Sequence, residues 1–260
     1  MRDFLDILAR TAAETIQTGY YEIRKEMSFS RLSLKEAILN FKDTPIISEI
    51  KFASPSYGSI RRDITPEKAA REMELGGAVG ISILTEPKHF KGQLNFITQV
   101  REVVRIPILM KDIILSPIQI DAAAAAGANV LLLINTLFDR GYCEESLEEM
   151  IDYAHSKGLE VLLETRTEEE FISALRTDAE IIGINNRDLK TLKVDLKVTE
   201  RILKKHPCVG KIVISESGIE DAGDIRFLRR CGAQAFLVGT SIMKSNDIHG
   251  KVRELVRIHE

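Results

Sequence analysis

The sequence predicts an α/β protein, a (β/α)8 TIM barrel with an N-terminal helical extension. Three observations support this prediction. From Pro45 onward, short apolar segments alternate with longer amphipathic segments eight times. The apolar segments are continuous, as in Val130-Leu131-Leu132-Leu133, which is typical of parallel strands covered on both faces. The chain has 260 residues, a common length for one such barrel.

Two helices are predicted before the first strand. Residues 3–18 carry apolar side chains at helical spacing, and Ser33 is a suitable cap for a short helix that ends near Asn40. Because both helices precede the barrel, we expect residues 1–44 to form an extension that packs on it. Residues 45–260 form the barrel itself, and the whole chain is expected to be one structural domain.

Eight strands and eight helices are expected from Pro45 onward. The strand candidates are residues 46–50, 79–84, 107–110, 129–134, 159–163, 180–184, 211–215 and 234–238. The helix candidates are about residues 65–75, 93–104, 116–126, 143–156, 167–175, 196–205, 221–231 and 250–258. Start signals such as Thr65-Pro66 and end signals such as Gly127 support these bounds. An open doubly wound sheet also alternates in this way, but no Gly-x-Gly-x-x-Gly turn follows the first strand.

Composition excludes several classes of protein. The net charge is −3, so the basic surplus of nucleic-acid-binding proteins is missing. No apolar run is long enough to span a membrane, and the first residues are too acidic for a signal peptide. Cys143, Cys208 and Cys231 lack metal-ligand spacing, so we expect packing or surface residues in a reduced, cytoplasmic protein.

Charged and amide side chains end five of the predicted strands. The first strand ends in Glu49 and Lys51, the third in Lys111, the fifth in Glu164, the sixth in Asn185 and Arg187, and the seventh in Glu216. Each residue alone is more typical of a solvated loop. In a barrel, however, all these strand ends meet at one rim, where the active site lies. Their shared location therefore indicates a catalytic mouth.

Glycines follow the last two strands, in Ser217-Gly218 and in Gly239-Thr240. Either glycine alone is equally consistent with a tight turn. Barrels often bind phosphate at this place, because glycine lets the backbone N–H groups approach an anion closely. Beside a charged mouth, phosphate binding is the favoured interpretation.

Several segments together resemble the indole-3-glycerol phosphate synthase family. They are Ile46-Ile47-Ser48-Glu49-Ile50-Lys51 with Ala53-Ser54-Pro55-Ser56, Ser82-Ile83-Leu84-Thr85-Glu86, Pro107-Ile108-Leu109-Met110-Lys111-Asp112, Ile182-Gly183-Ile184-Asn185-Asn186-Arg187-Asp188-Leu189 and Glu216-Ser217-Gly218-Ile219. They occur in the family's order and cover nearly the whole chain. The resemblance implies a carboxy-lyase of tryptophan biosynthesis. Such an enzyme converts 1-(2-carboxyphenylamino)-1-deoxyribulose 5-phosphate to indole-3-glycerol phosphate, carbon dioxide and water, with no metal and no organic cofactor.

The resemblance also implies roles for the strand-end residues. Lys111 is expected to be the general acid of ring closure, and Lys51 a proton donor to the leaving hydroxyl. Glu164 or Glu49 is expected to remove the proton that restores aromaticity. The assignment within these two pairs stays open, because a lysine and a glutamate that share a pocket titrate together.

The remaining implied residues bind and orient the substrate. Asn185 and Glu216 are expected to orient it, and Arg187 to bind its carboxylate through a bidentate contact. The phosphate contacts are expected from Ser54, Ser217, Gly218, Gly239 and Thr240. An apolar wall for the aromatic ring is expected from Pro55, Phe90, Leu109, Leu132 and Leu189, although each suits an ordinary core and Leu132 suits it best.

Three positions depart from the family pattern. Thr240 stands where many members have serine, and we expect little change because a hydroxyl is kept. Ser215 stands where alanine is common, which is expected to add a polar atom near the base of the mouth. Ile113 stands where an aromatic residue is often found, so the shape of the ring pocket is expected to differ.

Two alternatives use the same barrel. A sibling enzyme, such as phosphoribosylanthranilate isomerase or the tryptophan synthase α subunit, shares the phosphate site but is not expected to carry Glu49 with Lys51, or Lys111. A phosphate-binding barrel without catalysis is disfavoured because both lysines and both candidate glutamate bases are present. The expected partner is therefore a small phosphorylated substrate, with no nucleic acid and no membrane, and the chain is expected to be a monomer or a weak homo-oligomer.

Overall fold

The computed structural model describes residues 3–23, 31–55, 57–207 and 210–258. Within them, eight parallel strands form a closed barrel in which each strand pairs with its neighbours along the chain and the last pairs with the first. The strands are β1 (Ile46–Ile50), β2 (Gly80–Leu84), β3 (Ile108–Lys111), β4 (Val130–Ile134), β5 (Glu160–Thr165), β6 (Ile181–Asn185), β7 (Ile212–Glu216) and β8 (Ala235–Val238). The predicted TIM barrel is thus confirmed. Of the three cysteines in the sequence, Cys208 lies outside the described residues.

Two helices precede β1 and the others follow the strands, as predicted. They are α1 (Phe4–Gln17), α2 (Leu34–Leu39), α3 (Pro66–Leu75), α4 (Asn95–Val103), α5 (Pro117–Ala126), α6 (Asn135–Asp139), α7 (Leu147–Ser156), α8 (Glu168–Ala174), α9 (Lys197–Lys205), α10 (Ala222–Cys231), α11 (Thr240–Lys244) and α12 (Ile248–Val256). Among these described helices, none has the length and apolar character needed to cross a bilayer.

Helices α6 and α7 differ most from the sequence prediction, for local reasons. Helix α7 begins at Leu147 and not near residue 143, because Ser146 and Glu149 form a reciprocal capping box there. Helix α6 was not predicted, because its five residues follow β4 directly and are too few to show a helical period. Helix α11 is likewise a short helix that follows the last strand directly.

Alternation along the strands separates two hydrophobic layers. On β3, Met110 belongs to the layer between the barrel and its helices, whereas Leu109 belongs to the layer that fills the barrel interior. Side chains two residues apart share a face, so Lys111 points the same way as Leu109. The last side chain of the strand therefore emerges at the mouth, above an interior that is already filled.

Helix α1 lies at the mouth, across the loops that follow β2 and β4. Asp3 and Asp6 both accept hydrogen bonds from Arg140, at 2.8–2.9 Å for Asp3 and 2.5 Å for Asp6. Thr11 Oγ1 lies 3.1 Å from His89 Nε2. These contacts hold one face of α1 against the C-terminal ends of the strands.

Helix α2 lies at the opposite end of the barrel. The carboxylate of Glu160, the first residue of β5, accepts the backbone N–H groups of Leu34 at 2.8 Å and Lys35 at 3.1 Å, as well as the hydroxyl of Ser33. An acidic side chain at a helix N-terminus satisfies N–H groups that have no partner within the helix. Leu34 covers Gly80, where an added Cβ would lie 2.9 Å from Leu34 Cδ1. The end of the barrel opposite the mouth is thereby covered.

Candidate active site

A cavity of about 560 Å³ occupies the C-terminal end of the barrel. It brings together nearly all the residues that the sequence assigned to a site. They are Glu49, Lys51, Lys111, Glu164, Asn185, Glu216, Ser54, Pro55, Phe90, Arg187, Ser217, Gly218, Gly239 and Thr240, with Leu132 and Leu189 in its apolar wall. The rim of mixed charge is therefore a concave site and not a scattered set of solvated loops.

Lys111 lies between two carboxylates. Its Nζ is 3.2 Å from Glu164 Oε2 and 3.2 Å from Glu216 Oε2. Burial lowers the pKa of Lys111, but the charges of Glu216, Glu164 and Glu49 outweigh burial and raise it above the ordinary value. Lys111 is thus a protonated cation at neutral pH, aimed into the cavity from the end of β3. Such a group can donate a proton or a hydrogen bond to an oxygen of a bound ligand.

Glu216 is the most buried of the acidic groups at the mouth, with 1% of its surface exposed. Burial raises its pKa to about 7, while Lys111 acts in the opposite direction and Glu164 adds to the rise. Its Oε1 is buried and has no hydrogen-bond partner among the described residues. Glu216 can therefore hold or release a proton near neutral pH.

Gly183 makes the position of Glu216 possible. A Cβ at residue 183 would lie 2.0 Å from Glu216 Oε1, so only glycine leaves room for that carboxylate. Gly183 is paired with Glu164 across β5 and β6, on the level of the charged layer. The strand sequence Ile182-Gly183-Ile184 thus supplies a gap in the barrel wall where an acidic side chain lies.

Glu49 and Lys51 form a second ion pair, with Lys51 Nζ 2.6 Å from Glu49 Oε1. Glu49 is 2% exposed, and its partner Lys51 lies two positions further along the chain, just past the end of β1, on the same side as the spacing predicts. Gly239 leaves space for Glu49, since a Cβ there would lie 2.5 Å from Glu49 Oε1. The mouth therefore holds two groups of ion pairs. Lys51 lies beside the carboxylate of Glu49, and Lys111 lies between those of Glu164 and Glu216.

The loop after β6 orients Asn185 and Arg187. Asn185 Oδ1 accepts the backbone N–H of Arg187 at 2.9 Å, and its carbonyl oxygen accepts a hydrogen bond from Arg166 at 3.2 Å. Arg187 donates to the carbonyl oxygen of Leu192 at 2.9 Å. Arg187 also borders the cavity, and one nitrogen of its guanidinium fixes the loop.

The loops after β7 and β8 border the other end of the cavity. Ser217 and Gly218 both have left-handed backbone angles, with φ 68° and 84°, and Gly239 precedes α11. The hydroxyl of Ser241 donates to the carbonyl of Ile219 at 3.0 Å and so joins the two loops. For a serine such a φ is strained, and strain of this kind occurs at ligand sites. The region combines small residues, hydroxyls and backbone N–H groups, which suits an anion.

The apolar wall differs from the sequence prediction in one residue. Leu109 does not line the cavity; it is 1% exposed and lies in the barrel interior. The reason is depth, since Leu109 is two residues before Lys111 on the same face, roughly 7 Å further from the mouth. Sequence reasoning missed Phe4 and Leu8 of α1, which line the cavity from the N-terminal extension.

Among the described residues, no group of three or more His, Cys, Asp or Glu side chains is arranged to hold a metal ion. The carboxylates of Glu49, Glu164 and Glu216 are instead paired with lysines.

Comparison with known proteins identifies the family. A model of the indole-3-glycerol phosphate synthase family matches residues 6–255. The chain is 47% identical to an indole-3-glycerol phosphate synthase from Methanocaldococcus jannaschii over 232 residues, which cover 87% of this chain and 84% of that protein. The chain belongs to the indole-3-glycerol phosphate synthase family. A relative of the same name from Oceanobacillus iheyensis is 45% identical over 203 residues, covering 78% of this chain and 76% of that protein.

Two solved structures share the barrel fold at low sequence identity. A thiamine phosphate pyrophosphorylase from Pyrococcus furiosus has a TM-score of 0.61 and 16% identity, and it covers 86% of this chain and 96% of its own. An N-acetylmannosamine-6-phosphate 2-epimerase from Clostridium perfringens has a TM-score of 0.59 and 17% identity, covering 83% of this chain and 93% of its own. At these identities the likeness concerns the fold alone.

The departures from the pattern of the indole-3-glycerol phosphate synthase family have different structural settings. The expectation that Ser215 adds a polar atom near the mouth is wrong, because its hydroxyl is fully buried and bonded to Asn186 and Thr199 at 2.9 Å each. Ser215 precedes Glu216, so it faces away from the cavity. Ile113 and Thr240 do border the cavity, as expected.

Proposed function

We propose that the mouth of the barrel carries out the reaction of the indole-3-glycerol phosphate synthase family, with the residues described above as its machinery. By membership of this family, the chain is a carboxy-lyase of tryptophan biosynthesis. It converts 1-(2-carboxyphenylamino)-1-deoxyribulose 5-phosphate to indole-3-glycerol phosphate, with release of carbon dioxide and water. The observation that carries the assignment of residues is the convergence of Lys51, Lys111 and their paired glutamates in one cavity.

In the first step, the ring carbon that bears the carboxylate attacks the ketone carbon, and a carbon–carbon bond forms. The ketone oxygen gains negative charge, and we assign its protonation to Lys111. The raised pKa of Lys111 supports this role, because the amine holds a proton until the developing oxyanion accepts it. Glu164 and Glu216 stabilise the positive charge, which passes from Lys111 to the substrate as the proton moves. Carbon dioxide leaves, and its bonding electrons restore the benzene ring.

In the later steps, the new hydroxyl leaves as water and a carbon-bound proton is lost to complete the indole. We assign proton donation to Lys51, and removal of the carbon-bound proton to Glu49 or Glu164. The 2.6 Å contact between Lys51 and Glu49 supports a local exchange, since a proton taken by the carboxylate can be returned to the amine. The assignment between Glu49 and Glu164 stays open.

The substrate has two anionic ends and an aromatic ring between them. We assign the phosphate to Ser54 and to the loops that carry Ser217, Gly218, Gly239 and Thr240, because both loops border one end of the cavity.

For the other end of the substrate, we assign the carboxylate to Arg187 and the orientation of the reacting atoms to Asn185 and Glu216. The ring is assigned to a wall that includes Pro55, Phe90 and Leu189, which border the cavity.

The direct test is turnover. The purified protein, treated with a metal chelator, is mixed with 1-(2-carboxyphenylamino)-1-deoxyribulose 5-phosphate, and indole fluorescence is followed. We expect the signal to grow with the wild-type protein and to be absent with Lys111→Ala. An inactive wild type that still binds the substrate at micromolar concentration would overturn the proposed catalysis, and the lack of both would overturn the proposed substrate.

We further infer that the chain acts in the cytoplasm as a monomer or a weak homo-oligomer, and that residues 1–44 and the barrel of residues 45–260 form one structural domain. The contacts of α1 and α2 with the two ends of the barrel support the single domain. Light scattering after size-exclusion chromatography tests the oligomeric state, and one cooperative unfolding transition is expected.

A further inference from the structure

Asp112 follows Lys111 directly and is a buried acidic residue that the proposed mechanism does not use. It is 3% exposed. Its Oδ1 accepts the backbone N–H of Ile113 at 2.7 Å, and its Oδ2 accepts the hydroxyl of Thr85 at 2.5 Å and that of Tyr21 at 3.0 Å. Both oxygens of Asp112 are thus engaged by protein groups, although the residue borders the cavity.

Thr85 forms hydrogen bonds with both Lys111 and Asp112, which are neighbours at the end of β3. Its hydroxyl donates to Asp112, and its backbone N–H donates to the carbonyl oxygen of Lys111 at 3.1 Å. Thr85 follows β2, the strand next to β3, and is fully buried. The residue that follows β2 therefore fixes the peptide group between Lys111 and Asp112.

Tyr21 adds a hydrogen bond from the N-terminal extension. Its side chain is 2% exposed and packs in the layer between the barrel and the helices. Tyr20, the preceding residue, donates to the carbonyl oxygen of Thr85 at 2.9 Å and accepts the backbone N–H of Leu94 at 2.8 Å. The two tyrosines together connect the segment after α1 to the ends of β2 and β3.

A buried carboxylate is costly unless its hydrogen bonds are complete. Burial raises the pKa of Asp112 to about 6, while the groups of Thr85, Ile113 and Tyr21 act against that rise. Because both oxygens of Asp112 are engaged by protein groups, its burial needs a reason other than contact with a ligand. Its position supplies that reason, because Asp112 lies one residue beyond an amine that must lie 3.2 Å from two carboxylates at once.

We propose that Asp112, Thr85 and Tyr21 are positioning residues that hold Lys111 between Glu164 and Glu216. The inference deepens the proposed function, because it concerns the same general acid. The three residues act through the backbone of β3 and not by contact with the substrate. Loss of one hydrogen bond lets the end of the strand shift, and the Lys111 amine then spends less time in the geometry that protonates the ketone oxygen.

The test compares Tyr21→Phe, Asp112→Asn and a pair at position 85, in which Thr85→Val removes the hydroxyl and Thr85→Ser keeps it. The matched control is Tyr153→Phe, which removes a tyrosine hydroxyl that lies 3.0 Å from Asp121 on the outer helices. We expect kcat to fall at least tenfold in Tyr21→Phe, Asp112→Asn and Thr85→Val. The KM should stay within about twofold, and Thr85→Ser should recover most of the lost kcat. Tyr153→Phe should change neither constant.

A second readout does not depend on turnover. Reductive methylation of lysines with formaldehyde, followed by peptide mass spectrometry, measures the reactivity of each amine. Release from the carboxylates raises the neutral fraction of Lys111, so its methylation should be at least threefold faster in Tyr21→Phe and in Thr85→Val. Lys51, which pairs with Glu49 on another strand, serves as the internal reference and should not change.

The outcomes separate the two proposals. Wild-type kcat and wild-type Lys111 methylation in folded Tyr21→Phe and Thr85→Val would overturn the positioning role while leaving the enzyme assignment intact. A wild-type protein that fails to turn over the substrate would overturn the assignment of the reaction, and the methylation rates would still decide the positioning role. If Asp112→Asn does not fold, circular dichroism reveals it, and the variants at positions 21 and 85 decide the question.

Discussion

The carboxylate of Glu216 occupies the space that a side chain at position 183 would fill. In Gly183→Ala, the new Cβ would lie 2.0 Å from Glu216 Oε1 and 3.2 Å from its Cδ. Non-bonded atoms do not approach so closely, and the backbone of β6 is held on both sides by β5 and β7. The carboxylate is the part that can move, so we expect the substitution to displace it from Lys111.

The magnitude follows from the contact that is lost. The hydrogen bond between Lys111 Nζ and Glu216 Oε2 is 3.2 Å long and joins two charged groups. Hydrogen bonds to charged groups contribute roughly 1.5–3 kcal/mol, and a factor of ten in rate corresponds to about 1.4 kcal/mol. If the transition state depends on this contact, kcat should fall by about 10- to 150-fold.

The assay is the growth of indole fluorescence at saturating substrate, for four proteins that form a cycle. These are the wild type, Gly183→Ala, Glu216→Ala and the double variant. Because Glu216→Ala removes the carboxylate, the added methyl group should cost little in that background. A kcat of Gly183→Ala within twofold of wild type would refute the displacement. Equal losses from Gly183→Ala in both backgrounds would show that the methyl group acts elsewhere.

Four further predictions concern Lys111, Glu164, the contact of α1 with Arg140, and Asp112. Lys111→Ala should abolish turnover and leave the circular dichroism spectrum unchanged, because the side chain ends in the cavity and not in the core. Glu164→Gln should lower kcat by about 10²- to 10⁴-fold, the range for a general acid or base. Wild-type turnover in either variant would contradict the role assigned to that residue. Arg140→Met should lower the free energy of unfolding by about 1 kcal/mol, because the ion pairs that it breaks with α1 are partly exposed. Urea titration should show a smaller loss at high salt, where such pairs are screened. The substitution should also raise the KM, since α1 forms part of the cavity wall. The pKa of Asp112 is about 6 in the folded protein and 3.8 ordinarily, so its favourable contribution is complete below pH 3.8 and is lost as the pH rises through 6. At about 1.4 kcal/mol per pH unit, the wild type should lose roughly 3 kcal/mol of stability relative to Asp112→Asn across that window, and parallel curves of unfolding free energy against pH would contradict this account.

The sequence was informative about the mouth because the period of a strand is two. Lys111, Glu164 and Glu216 each end an apolar run, and a parallel barrel brings such ends to one rim whatever the loops do. The same period also indicates that Ser215, next to Glu216, faces away from the mouth. That signal was present in the sequence, and the polar atom at position 215 could have been assigned to the outer layer from it.

Other features leave no such signal. The amphipathic pattern of α1 indicates that it packs, but the place where it docks depends on Asp3 and Asp6 meeting Arg140, which is far along the chain. Phe4 and Leu8 therefore reach the cavity wall without any local motif. The depth of Leu109 likewise depends on how strands are staggered around the barrel, and stagger cannot be deduced from the pattern of one strand.

The cap of α2 has a consequence for the order in which the protein assembles. Its N-terminal N–H groups bind a carboxylate that lies 126 residues further along the chain, at Glu160. During synthesis from the N-terminus, the extension leaves the ribosome long before that partner exists, and the contact of α1 with Arg140 is also delayed, by 137 residues. Both contacts can form only after these later parts of the chain have been made, whereas β6 to β8 are made later still. Until β5 has been made, the N-terminal N–H groups of α2 lack the carboxylate that caps them in the folded protein.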